Sequence, residues 1–366
     1  MIDRRLFSNF NWLFFLTCLG IAILGVVTIY SANHGRPEAF FRGLYIKQIY
    51  WIGYGLVAML IAMVLDYRMF SRYAYLIYFL TLLALAYVLI NGVIASGSRR
   101  WIHIGSISIQ VSEFAKVSLI IALAKYFESG KMSNQYTLKD LIIPTLMTAA
   151  LGGLIVVQPD LGTTMMIFFI FLVFVAAIEM ERMTLIKLFI GGLTLAPALW
   201  LFLKDYQKTR LLTLFNPELD PLGAGYHSIQ SKIAIGSGGF WGKGLLAGTQ
   251  SRLNFLPEKH TDFIFSVFAE ETGFFGVVIL LSLFLFVLLK GLNIAFRAAD
   301  RFGFFLSLGL VSSITFYVIF NVGMTIGLFP ITGIPLPFLS YGGSSLITNF
   351  FAIGLLLNVE MRRSIH

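Results

Sequence analysis

The sequence predicts an all-α polytopic membrane protein of about ten transmembrane helices, with one large extracytoplasmic loop between helices 7 and 8. Three observations predict it. Hydrophobic residues make up 58% of the chain and charged residues only 12%, about half the charged fraction of a soluble domain. Apolar runs long enough to cross roughly 30 Å of hydrocarbon follow one another along most of the chain. The short alternating segments of a membrane β-barrel are not what these runs look like, so helices are the sensible reading. The 366 residues then read as a single membrane domain, 1–366, because no stretch is long and polar enough for a separate soluble one.

The runs fall at about 12–31, 48–65, 70–91, 112–127, 141–157, 162–178, 184–203, 263–290, 303–329 and 344–359. The first is long enough to span, lacks a small-residue cleavage site and is soon followed by a second span, so it reads as a retained helix and not a cleaved signal. The fourth and sixth are short, which leaves room for a broken, tilted or partly re-entrant element. With ten spans both termini share a side. Placing them in the cytoplasm puts Arg4, Arg5, Arg68, Arg72, Lys125, Lys131, Lys139, Arg182, Lys187, Lys290, Arg297, Arg301, Arg362 and Arg363 inside, against Arg36, Arg42, Lys47, Arg99 and Arg100 in the short outer loops. That excess supports a multi-pass protein of the cell (inner) membrane with cytoplasmic termini. The net charge of +9 fits cytoplasmic anchoring and not a nucleic-acid partner. The one cysteine, Cys18, excludes a disulfide within the chain and a Cys/His metal cluster. No internal repeat of the kind common in transporters is visible.

The loop at about 204–262 is a polar island carrying Asp205, Asp220, His227, Lys232, Lys243, Arg252, Glu258, Lys259, His260 and Asp262. At its end Asp262 stands against the next apolar span. There it is either an N-cap, accepting from free backbone N–H groups, or a partly desolvated general base at the outer membrane face. Lys259 and His260 beside it could hold a phosphate or tune the carboxylate. Glu113 and Lys116 open the fourth helix three residues apart, on one face. They are either a structural ion pair or a lysine aimed at a pyrophosphate with Glu113 positioning it. Asp160 is a natural N-cap before the sixth helix and alternatively a second carboxylate in the same cavity. Arg99, Arg100 and Trp101 suit the membrane interface, and the arginines could steer an anionic lipid head. Glu270 and Glu271, two turns into the eighth helix, have no evident role. The glycine-rich run from Ile235 to Gly244 fails as a phosphate loop, since Lys243 is followed by Gly244. It reads as flexible backbone, a hinge that lets the loop fold over a substrate. The proline- and glycine-rich stretch from Asn321 to Ser345 stops helix nine and forms either a plain structural turn or, with Ser344 at the start of helix ten, an anion nest.

That last stretch, Asn321-Val-Gly-Met-Thr-Ile-Gly-Leu-Phe-Pro330-Ile-Thr-Gly-Ile-Pro-Leu-Pro-Phe-Leu-Ser340-Tyr-Gly-Gly-Ser-Ser345, resembles the signature of the SEDS proteins (shape, elongation, division and sporulation). Arg100-Trp101, Gln110 to Lys116, Gln158 to Thr163, Asp220 to His227 and Pro257 to Phe265 resemble family motifs in the family's order, so the resemblance covers essentially the whole chain. The loop wording after Gly225 is nearer the elongation member than the division member. One departure is Val111, where the family commonly has proline, a change that could soften the start of helix four.

The resemblance implies a peptidoglycan glycosyltransferase that polymerises lipid II, a disaccharide-pentapeptide on undecaprenyl pyrophosphate, into β-1,4 glycan strands for cell-wall elongation and rod shape. It places the family's essential aspartate on Asp262. Lys116 and Arg100, with a divalent cation (magnesium or manganese) as a candidate cofactor, would stabilise the leaving pyrophosphate, and Trp101, Glu113, Asp160, Lys259, His260 and Ser344 complete the expected substrate site. The implied partners are lipid II, a class B penicillin-binding protein transpeptidase and the elongation complex. Two rival expectations stand beside it. A lipid II flippase would need a midplane polar cavity, and a non-catalytic scaffold would not need Asp262.

Overall fold

The computed structural model describes residues 10–34, 43–95, 98–104, 107–130, 135–202, 205–221, 223–252, 256 and 258–363. The predicted ten spans are present: α1 (Trp12–Asn33), α2 (Leu44–Val64), α4 (Ala74–Asn91), α5 (Val111–Glu128), α6 (Ile142–Val157), α7 (Leu161–Ala176), α8 (Arg182–Phe202), α12 (Ile264–Phe296), α13 (Arg301–Thr325) and α14 (Gly343–Arg362). A short helix α3 (Tyr67–Arg72) precedes α4, capped by the Asp66 carboxylate. The polar loop is helical too, with α9 (Asp205–Phe215), a 3-10 turn over Pro217–Leu219, α10 (Ala224–Ser237) and α11 (Thr249–Arg252).

α5 is the strut of the bundle. It packs against α3, α4, α6, α7, α13 and α14, and its side chains are buried almost throughout, with Phe114 the exposed exception. α4 lies at the perimeter, where Leu76, Phe79, Leu80, Leu83, Tyr87 and Ile90 are exposed. Such a face is stable only against lipid. The short fourth and sixth runs are unbroken helices, α5 and α7. Val111 does not soften the start of α5. It occupies the first helical position, where a proline would also sit. At the end of the bundle opposite the polar loop, Asn11 and Lys290 both reach Glu360, at 3.2 Å and 2.8 Å. The first and last spans therefore meet on one face, as an even number of crossings requires.

Two features at the loop end depart from the sequence reading. The short outer loop before α5 carries an antiparallel sheet that the all-α reading did not include, β1 (Val93–Ala95), β2 (Ser98–Ile104) and β3 (Ile107–Gln110), in that order. Ile104 stands opposite Ile107 and Trp101 opposite Gln110, so the alternation Ile102, Ile104, Ile107, Ile109 was the local signal. The glycine-rich run is also not a hinge. Backbone bonds fasten it to α12: Lys243 N–H to the Glu270 carbonyl, Gly244 N–H to that of Glu271, and Phe274 N–H to that of Gly239, at 2.9–3.0 Å. Gly273 breaks α12 there with φ 67° and ψ −167°, a region essentially reserved for glycine. A Cβ on Gly273 would strike the backbone of Gly242, and one on Gly242 the Glu271 carbonyl. The glycines serve close approach.

Gly273→Ala is expected to lower the thermal midpoint of the purified protein, because the strained conformation alone costs roughly 1–3 kcal/mol before the clash is relieved. A midpoint equal to wild type would show that the kink relaxes freely.

Candidate functional site

Asp262 lies at the end of the turn Glu258–Phe263 that enters α12. Three consecutive carbonyls of this turn are held by α13 and the segment after it. His260 accepts from the Tyr341 N–H at 2.9 Å, Thr261 from the Ser340 hydroxyl at 2.7 Å, and Asp262 from the Asn321 side-chain amide at 3.0 Å. The same Asn321 amide donates to the Ile334 carbonyl at 2.6 Å, and Ser340 Oγ accepts from the Leu336 N–H at 2.8 Å. The proline-glycine segment is therefore a seat for the turn.

The carboxylate of Asp262 is not a cap. The N-cap of α12 is Phe263, and no side chain caps it. Asp262 instead points over Gly333, whose Cβ, if present, would lie 3.3 Å from Oδ2. A small cluster of Ala234, Leu256, Phe263 and Ile331 packs beside it. Burial, with the nearby Glu258 charge adding to it, pushes the Asp262 carboxyl up to about 7, against the opposing hydrogen bond from Thr261 and the charge of Arg210. Arg210, on α9, is the cation that sequence reasoning missed, being one of several charges in the polar loop with no motif to mark it. Of the expected helpers, His260 lies beside Tyr341 with ring centroids 5.9 Å apart, and Lys259 is turned inward and buried.

The second group surrounds Asp160, where the cap reading holds. It caps α7, accepting from Thr163 N–H at 3.2 Å and Thr163 Oγ1 at 3.0 Å. It also faces Ser112 Oγ and Gln110 Nε2, each at 3.4 Å, and Arg100 Nη1 at 3.9 Å. Arg100 further donates to the carbonyls of Gln158 and Pro159 and keeps 26% of its side chain exposed. Ser344 Oγ accepts from the Gln110 N–H at 3.0 Å, so it pins the sheet to α14. Trp101 belongs to the sheet, paired with Gln110. Gly162, two residues on from Asp160, packs against Thr332 and Ile334 of the seat, which joins this group to Asp262.

The third group corrects an expectation. Lys116 is 1% exposed and its ammonium is held by Glu113 at 2.7 Å and by the Tyr317 hydroxyl at 3.0 Å, while Tyr317 donates to the other Glu113 oxygen at 2.8 Å. This closed triangle between α5 and α13 is the structural ion pair. It is not a lysine presented to a pyrophosphate. Tyr317 completes it, and a tyrosine inside a span was the available signal, since a buried hydroxyl needs a partner. Glu270 and Glu271 gain roles as fasteners. Glu270 Oε1 accepts from Lys243 Nζ and Thr249 N–H, both at 2.7 Å, and from Gln250 N–H at 3.1 Å. Glu271 accepts from Ser31 of α1, whose hydroxyl also takes the Leu246 N–H at 3.1 Å. No set of three His, Cys, Asp or Glu side chains converges among the described residues, so a divalent cation held there would draw part of its shell from substrate phosphates or water.

Lys116→Met should leave Glu113 buried and unpaired, at about 3–5 kcal/mol, read as lost folded yield and a lower thermal midpoint. The double variant with Glu113→Gln should recover part of that loss. Equal stability of the single and double variants would show that the two groups do not act as a pair.

Residues 11–365 match the sequence model of the FtsW/RodA/SpoVE family, described as cell cycle proteins. The peptidoglycan glycosyltransferase MrdB of Escherichia coli K12 is 38% identical over 356 residues, 95% of this chain and 92% of that protein. A solved structure reported for the coordination of polymerization and crosslinking by a peptidoglycan synthase complex superposes with TM-score 0.82 at 35% identity, over 98% of this chain and 99% of that one. The rod shape determining protein RodA of Thermus thermophilus superposes with TM-score 0.71 at 30% identity, over 97% of this chain and 98% of that one.

Proposed function

This chain belongs to the FtsW/RodA/SpoVE family of cell cycle proteins, and from that premise we propose that it polymerises lipid II into β-1,4 glycan strands with Asp262 as the general base. It is an integral membrane peptidoglycan glycosyltransferase. The observation that carries the assignment of the base is the Asp262 seat. A half-buried carboxylate, freed from capping and held by its backbone over Gly333, stands at the loop end of the bundle with its pKa near the working pH. With both termini in the cytoplasm, that end faces outward.

The chemistry asks for one proton acceptor. The sugar 4-hydroxyl oxygen of one chain attacks the anomeric carbon of the other. The new C–O bond forms as the bond from that carbon to the pyrophosphate oxygen breaks, and the hydroxyl proton passes to Asp262. Direct displacement inverts the anomeric centre. The lipid pyrophosphate departs as an anion and needs no acid, unlike the alcohol leaving group of a glycosidase. Positive charge toward the leaving group comes from Arg100, partly exposed beside Asp160, and from Arg210, whose charge already acts on Asp262. Lys116 supports the site through the α5–α13 contact. A divalent cation would be held largely by the substrate's own phosphates and would neutralise their charge. The likeness to a complex of polymerization and crosslinking supports a class B penicillin-binding protein as partner, within the elongation machinery.

Purified with such a transpeptidase and supplied with lipid II, wild type should form long strands and Asp262→Asn should be slower by about 10²–10⁴-fold. Strand formation at the wild-type rate by the variant would end the assignment, and lipid movement across vesicles without strands would favour a flippase. Because the carboxyl is raised, it is protonated and idle below its pKa. The wild-type rate should therefore fall about tenfold per pH unit below about 7 and level off above it. A limb near the ordinary carboxylate value would show that Asp262 is solvated when it acts.

A further inference from the structure

The turn that carries Asp262 also carries a second carboxylate, Glu258. Its backbone closes the turn, since the Glu258 carbonyl accepts from the N–H groups of Thr261 and Phe263, both at 3.2 Å. Its side chain is exposed, and Oε2 accepts from the Thr261 hydroxyl at 3.1 Å. The same hydroxyl lies 3.3 Å from the Glu258 carbonyl and hydrogen-bonds the Asp262 carboxylate. It has one proton to give to these acceptors. Thr261 is also fixed in place, because its own carbonyl accepts from the Ser340 hydroxyl at 2.7 Å. The hydroxyl can therefore rotate between the two carboxylates, but the residue that carries it stays between them.

The choice matters to the base. A hydroxyl that donates to Asp262 stabilises its ionised form, weakens it as a proton acceptor and occupies a lone pair that the attacking sugar hydroxyl needs. An exposed glutamate carries its charge near neutral pH, and a charged carboxylate is a strong acceptor, so Glu258 competes for that one proton. The other charged groups around the turn do not replace it. From α9, Arg210 acts on Asp262 in the opposite sense. From α10, His227 faces Glu258, and burial lowers its pKa below the ordinary value against the charges of Asp220 and Glu258, so it is neutral near pH 7. On the turn itself, Lys259 is turned inward and His260 packs beside Tyr341. We propose that Glu258 is a positioning residue of the polymerase, drawing the Thr261 hydroxyl away from Asp262 so that the base meets the attacking sugar hydroxyl with its lone pairs free. The proposal rests on the polymerase reading given above.

The test uses the full chain with its transpeptidase in nanodiscs, and follows strand formation from lipid II against pH in Glu258→Gln, Thr261→Val and the double variant. In Glu258→Gln the hydroxyl turns to Asp262. The acidic limb should move lower by about one pH unit and the plateau rate should fall roughly three- to tenfold, with KM little changed. In Thr261→Val the limb should move higher, because Asp262 loses a donor. In the Thr261→Val background, Glu258→Gln should then keep only the minor effect of its exposed charge. Equal shifts in the two backgrounds overturn the proposal, and so does a wild-type limb and plateau in Glu258→Gln. A second measurement needs no turnover. The infrared band of the protonated carboxyl that Asp262→Asn removes should titrate with the same pattern of shifts in the protein without substrate, and a band that does not move between the variants overturns the proposal. If wild type makes no strands, the polymerase reading fails instead, and the infrared titration still decides whether Glu258 acts on Asp262 through Thr261.

Discussion

The side-chain amide of Asn321 donates to two carbonyls at once, those of Asp262 and Ile334, and the loop end of the molecule is organised about that pair of bonds. They join the end of α13, the entry to α12 and the proline-glycine segment between α13 and α14. Asn321 is fully buried, so its two bonds are made where water cannot substitute for them. The neighbouring bonds from Ser340 and Tyr341 then hold two further carbonyls. The result is a non-helical turn with its backbone fixed while the carboxylate of Asp262 stays outside that set of backbone bonds. That is the arrangement a general base needs, because a carboxylate used for capping would have its lone pairs occupied and its acidity raised.

The same constraint governs the other charges. An ionised group inside a bundle must be paired, since desolvation alone costs several kcal/mol per ion. Glu113, Lys116 and Tyr317 satisfy one another, and Glu270 gathers Lys243 and the first N–H groups of α11 on one oxygen. These groups hold elements together. Arg100 and the loop arginine Arg210 instead sit near the surface of the loop end and keep some exposure. The division of labour among the charged residues follows from depth in the bundle more than from residue type.

Much of the fold was legible in the sequence because a span needs about twenty apolar residues, a signal that no tertiary contact can imitate or erase. The ten runs and the ten helices agree, as do the polar loop and the turn after α13. The sheet before α5 was missed because its strands are short and its alternation is only four isoleucines long. The glycine run was misread because glycine means both freedom and close approach, and only the position of α12 shows which applies at Gly242 and Gly273. Asp262 stood out by its place at a membrane boundary, yet its neighbour Phe263 took the cap. Lys116 was legible as one of an ion pair, but not as closed off by Tyr317, which lies far along the chain.

The sequence by itself determined the class of protein, the number of crossings and the few residues worth suspecting, because hydrophobic length and turn chemistry are local properties of the chain. The tertiary structure alone decided how deeply each suspect is buried and which partners it has. It turned Lys116 inward, kept Asp160 as the cap of α7 while packing Gly162 against Ile334, and left the carboxylate of Asp262 over Gly333 with nothing to cap. Those outcomes depend on burial and on partners distant in sequence, and burial is what sets the charge state and the reach of an ionisable group.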